Sequence, residues 1–153
     1  MENKAELKHC LRDYCSQFIE QKLQTITNTI IEIQESLKSE TKSSAGDKHE
    51  TGRAMLQLER EKAGNQLAEI QKTKAFFSKI DFNKTSQTIG LGSIVFTSTS
   101  SYFIAISVGE IRIDNTIFYA ISPNTPIGKL LIGKRAGDSI TFREQTFKIV
   151  SVY

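Results

Sequence analysis

At 153 residues, with 39% hydrophobic and 24% charged side chains, the chain has the make-up of a soluble protein of one domain or two small ones. The net charge of +3 is spread evenly: residues 1–79 hold 13 basic and 12 acidic side chains, and residues 80–153 hold 7 and 5. Such a balance supplies no strongly basic face, so contact with DNA is not expected.

The N-terminal segment reads as helix. Charged residues recur from Glu2 through Arg12, so no signal peptide is expected there. No stretch approaches the ~18 apolar residues of a membrane span, so a cytoplasmic protein without a membrane partner is expected. Cys10 and Cys15 lie on different faces of one helix, where a disulfide has poor geometry. With His9 they make three metal-capable groups and no fourth, so both thiols are expected reduced and no intrinsic cofactor is expected. Leu7, Leu11, Tyr14 and Phe18 form a first apolar stripe, whose spacing shifts by one residue on reaching Ile19. The shift predicts that this base packs differently, against the second half.

From Leu23 the apolar positions settle into a seam. Leu23, Ile26, Ile30, Ile33 and Leu37 alternate spacings of three and four, as in a coiled coil. Leu56, Ala63, Leu67, Ile70 and Phe77 offer a matching seam, interrupted at Arg60 and Lys74. Pairing Leu37 with Leu56, Ile30 with Ala63, Ile26 with Leu67 and Leu23 with Ile70 gives residue numbers that always total 93. One antiparallel hairpin centred between Gly46 and Asp47 meets that requirement. The turn-rich stretch from Ser39 to Asp47 fits the tip. From Ile19 to the tip is 27 residues, or ~40 Å of helix. Asp47 and Glu50 then sit at the end of a long finger. In helix two, Gly52 and Gly64 each cost up to about 1 kcal/mol against alanine.

From about Ile89 the pattern turns to strands. Ile94–Thr97, Tyr102–Val108 and Thr116–Ile121 are short, β-branched and aromatic. Ser139–Arg143 and Thr146–Val152 alternate at period two, and Glu144-Gln145 is read as the turn joining them. Between these strands lies one helix, with Thr125 as N-cap, Pro126 at its first position and Gly133 as its stop. Tyr102, Phe103, Phe118 and Tyr119 are read as core and cross-strand pairs. The expected class is α+β: an antiparallel coiled-coil finger over 1–80, a polar linker over 81–88, and a small antiparallel sheet domain with one short helix over 89–153.

Thr125-Pro-Ile-Gly-Lys-Leu-Leu-Ile-Gly-Lys-Arg-Ala-Gly-Asp138 resembles the Ser-Pro-(Ile/Leu)-Gly-Arg-Ala-Leu-(Ile/Leu)-Gly-Lys-Lys-Val-Gly-Asp signature of the GreA/GreB family of bacterial transcript-cleavage factors. Gly46-Asp47-Lys48-His49-Glu50 resembles that family's Gly-Asp-x-x-Glu tip. After Glu50 the patterns part: the family continues Asn-Ala-Glu-Tyr, whereas this chain has Thr51-Gly52-Arg53-Ala54. The resemblance implies an FKBP-like C-terminal domain that docks on RNA polymerase, and a finger that enters the enzyme's secondary channel. It implies a factor that is not itself an enzyme, in which Asp47 and Glu50 assist the polymerase's Mg²⁺ as it cleaves the backtracked RNA 3′ end. Thr125, Pro126, Gly128, Lys129, Lys134 and Arg135 are the matching docking candidates.

Other readings stand beside this one. Asp47 and Glu50 also fit a capping box that would stabilise helix two by ~1 kcal/mol. His49 at the tip fits a solvated residue or a proton relay. The departure at Thr51–Ala54 fits a channel-blocking regulator or inhibitor without cleavage activity. A coiled-coil adaptor that binds another protein along the sides of the hairpin is a further alternative.

Overall fold

The computed structural model describes residues 3–42 and 47–153, without the side chains of residues 41, 42 and 47–49. Two helices come first: α1 (Lys4–Lys42) of 39 residues and α2 (Asp47–Ser78) of 32. At 1.5 Å per residue they run ~58 and ~48 Å. Asn3 starts α1, its Oδ1 accepting from the Ala5 amide at 3.0 Å. The last turn of α2 tightens, with Lys79 and Ile80 amides donating to the carbonyls of Phe76 and Phe77.

The strands are β1 (Ile94–Thr97), β2 (Ser101–Ile104), β3 (Gly109–Ile113), β4 (Thr116–Ile121), β5 (Ser139–Phe142) and β6 (Gln145–Val152), with the short helix α3 (Pro126–Leu131) between β4 and β5. They form one sheet in the order β3-β4-β2-β1-β6-β5. The α+β class therefore matches expectation. Three details differ. The sheet is antiparallel except for β2 and β4, which run parallel with Phe103 beside Ala120. Strand β3 arises where none was anticipated and pairs with β4 through Ile111 and Phe118. The β5–β6 turn falls on Arg143-Glu144 rather than Glu144-Gln145, because Phe142 registers with Gln145.

The chain divides into two compact units: Ile19–Ala75, and Met1–Phe18 together with Phe76–Tyr153. In the first, the helix pair, Ile30, Ile33 and Ala63 are buried with Ile26, Leu37, Leu56 and Leu67 packed around them. These residues include three of the pairs expected from the antiparallel seam. The Lys74–Glu20 ion pair at 2.8 Å keeps the same register near the opposite end.

In the second unit, the body, the central strands are buried on both faces. Ile94 and Val95 are adjacent in sequence and both fully buried, as are Phe103 and Ile104. One face packs Val95, Ile104, Phe147 and Ile149 against Leu131 of α3 and Ile89. On the other, the Phe82 ring stacks on Phe103 at 5.8 Å and lies tilted against Phe77 at 5.2 Å. Residues 81–88 thus contribute a core aromatic. The start of α1 belongs to this unit, with the Lys4 ammonium 4.6 Å above the Phe96 ring and 5.2 Å from the Tyr153 ring. The buried stripe on this part of α1 is Leu7, Lys8, Leu11 and Cys15. Tyr14, expected on that stripe, is 47% exposed.

Candidate functional site

The helix pair carries the first group of candidate residues. Asp47 opens α2 and Glu50 follows in the same first turn, where a carboxylate suits the positive end of the helix dipole. Glu50 is exposed. Gly46 and the side chains of Asp47 and His49 lie outside the described residues. Just behind this turn the two helices are laced together. Arg53 Nη1 donates to the Leu37 carbonyl at 3.3 Å. A Cβ on Gly52 would stand 3.6 Å from a carboxylate oxygen of Glu40, an ordinary contact distance, so the approach of that side chain does not require glycine. Arg53, one of the four residues at which the chain departs from the resembled pattern, therefore reaches across the pair to the backbone of α1.

The second group surrounds α3, and the structure separates it into two kinds. Thr125, Pro126 and Gly128 build the helix start. Thr125 Oγ1 donates to the Ser122 carbonyl at 2.8 Å and accepts from the Gly128 amide at 3.1 Å. A Cβ on Gly128 would fall 2.4 Å from the Ser122 oxygen and 2.8 Å from Thr125 Oγ1. Glycine is required there by space. Gly133, at φ 85°, then ends the helix, and its amide and the Lys134 carbonyl bond to Ile89 at 2.9 Å each. Much of the signature is explained by this local geometry alone.

Lys129, Lys134 and Arg135 are exposed. Arg135 is the best anchored: Nε donates to Thr88 Oγ1 at 3.1 Å, and its amide donates to Asp138 Oδ2 at 2.8 Å. Leu130 and Ile132, 37% and 38% exposed, stand among these cations. Apolar surface rimmed by positive charge is a form suited to protein contact. Leu130 and Ile132 were not anticipated, although their place beside the helix stop could have drawn attention to them.

Other reactive groups resolve as structural. Cys15 is fully buried, and burial pushes its thiol up to about 12. Cys10 is exposed. His9 pairs through Nε2 with Asn83 Oδ1 at 3.2 Å. No cluster of three or more His, Cys, Asp or Glu able to hold a metal occurs among the described residues. Phe103 and Phe118 are core, and the Tyr102 and Tyr119 rings lie 6.1 Å apart across β2 and β4, as cross-strand pairs should. Among the described residues, no helix is long and apolar enough to cross a membrane.

No family model matches the chain, and no curated protein matches it. Among solved structures it is similar to that of the transcription factor Gfh1, at 21% identity over 90% of this chain and 92% of that one, with a TM-score of 0.36.

Proposed function

We propose that this chain binds RNA polymerase and stimulates the enzyme's own cleavage of backtracked transcripts, with Asp47 and Glu50 as the working acids. The observation that carries the reading is the antiparallel packing of Ile26, Ile30 and Leu37 with Leu67, Ala63 and Leu56, which puts the first turn of α2, with Glu50, at the end of a two-helix finger. Carboxylates at the end of such a lever suit a site that belongs to another protein. Phosphodiester hydrolysis is served by two metal ions, and Mg²⁺ shared with the polymerase would supply the stabilising positive charge. Asp47 and Glu50 would add ligands and orient the attacking water. Two carboxylates fall short of the six oxygens that Mg²⁺ requires, so the tip works only inside its partner. The body would dock through the cations and apolar side chains around α3.

A second reading keeps the docking and drops the cleavage. Arg53 favours it, since it brings a positive charge within one helical turn of Glu50. Halted, backtracked polymerase complexes from the same host, with labelled RNA, separate the two. Mg²⁺-dependent shortening of the transcript, lost in Asp47→Asn/Glu50→Gln while binding persists, is the expected result. Binding without shortening would establish the channel-blocking regulator.

A further inference from the structure

Two hairpin turns of the body share one backbone and differ in chemistry. Asp114 and Asn115, at φ 46° and 66°, turn β3 into β4; Arg143 and Glu144, at φ 50° and 67°, turn β5 into β6. Two-residue turns with both φ values positive are of type I′, for which Asn, Asp and Gly are the preferred residues. Asp114-Asn115 obeys that preference. Arg and Glu gain nothing from the left-handed region and are strained in it. Turn stability alone would favour Asn-Gly at 143–144, so the Arg-Glu pair calls for another reason.

The surroundings of Arg143 supply one. Its guanidinium carbon lies 5.0 Å from the centroid of the Phe142 ring, and that ring packs against the buried core of the body. A cation–π contact at that distance restrains the side chain, while its N–H donors can still reach a planar acceptor. Arg143, Glu144, Gln145 and Thr146 are all exposed. Between α3 and the end of β6 the charge is lopsided: Lys129, Lys134, Arg135, Arg143 and Lys148 against Asp138 and Glu144. Asp138 is already engaged by the Arg135 amide.

We infer that the Arg143 turn is a docking contact, in which the guanidinium held by Phe142 pairs with a carboxylate on an acidic segment of the partner protein. The contact rests on the polymerase reading above and extends the docking surface from α3 to the β5–β6 turn. A carboxylate is the chemical match for an Arg fork, and pre-organisation on a ring lowers the entropy lost on binding.

The full-length protein tests this in three forms: wild type, Glu144→Gly, and Arg143→Asn/Glu144→Gly. Thermal unfolding and the Kd for RNA polymerase at two salt concentrations are measured for each. Both variants should melt higher, by about 4 °C for the double change, because strain is relieved. Only the double variant should lose affinity, about tenfold at low salt and less at high salt. Glu144→Gly should bind at least as tightly as wild type. A gain in stability with a loss of binding is a combination that a purely structural turn cannot produce. A double variant that binds as wild type does, or variants that melt no higher, would overturn the contact while leaving the polymerase reading intact. A wild-type protein that does not bind polymerase would overturn both.

Discussion

Arg53 on α2 donates to the Leu37 carbonyl on α1 across 3.3 Å, bridging the helix pair two turns behind the start of α2. A charged donor to a backbone carbonyl is favoured as a hydrogen bond. Arg53→Met should therefore destabilise the helix pair by ~1 kcal/mol. Hydrogen exchange should quicken for amides from Leu37 toward the tip while the Ile26–Leu67 layer is unchanged. Unaltered exchange near Leu37 would remove the bridge from the account.

The seam makes a sharper distinction. Ile30 is 8% exposed, whereas Leu58 on the same helix pair is 66% exposed. Ile30→Ala should cost ~2 kcal/mol, the low end for a core truncation because a two-helix seam is narrow. Leu58→Ala should stay within about 0.5 kcal/mol. Thermal unfolding followed by far-ultraviolet circular dichroism checks both, and equal effects would mean the seam lies elsewhere.

At α3 the test is one methyl group. Gly128→Ala puts a carbon 2.4 Å from the Ser122 carbonyl oxygen, too close to be absorbed without moving backbone. A loss of ~2–4 kcal/mol in denaturant unfolding is expected. Lys129→Ala, one residue on and exposed, should leave stability unchanged.

The two thiols should behave oppositely. With its thiol raised to about 12 and no solvent access, Cys15 should resist a disulfide reagent in the native protein. Cys10 should react at once. One equivalent released natively and two after unfolding is the expected count; two in the native state would show that the body opens readily.

Lys8 gives a pH dependence with a defined sign. It is buried, its Nζ donates to the Lys84 carbonyl at 3.1 Å, and burial lowers its ammonium from the ordinary 10.5 while the Asp81 charge raises it in part. Between the lowered value and 10.5 the unfolded chain holds more of this proton than the folded one. Stability from Lys8 therefore rises with pH through that window, and below it the cost of burying the charge is fully present. Lys8→Met should abolish this rise, so wild type should gain on the variant in urea midpoint as pH 10.5 is approached. A constant difference would contradict the burial.

Periodic features were readable from sequence; features set by tertiary context were not. The seam from Ile26 to Leu67 follows from spacing, and the Thr125-Pro126 start of α3 from capping chemistry. Strand β3 was missed although Gly109–Ile113 alternates and Asp114-Asn115 is turn-forming, because its charged Glu110 and Arg112 masked a half-buried edge. The β5–β6 turn was read one residue late, at Glu144-Gln145, since neither Arg143 nor Glu144 favours positive φ. Lys8 was hidden because a buried lysine breaks the composition rule, and Phe82 because it lies among polar neighbours. Of the candidate site, Glu50 and the cations around α3 are exposed. Thr125, Pro126 and Gly128 carry a structural burden that spacing alone could not assign.

The strand order has a kinetic consequence. The helix pair can zip from its turn outward through contacts close along the chain. The body instead joins β1 to β6, with Val95 beside Val152. Such distant pairings must close large loops before they gain any stability, and so form slowly. Refolding should be biphasic: helical signal first, then burial of Phe103 and Phe118 when the last strand registers beside β1.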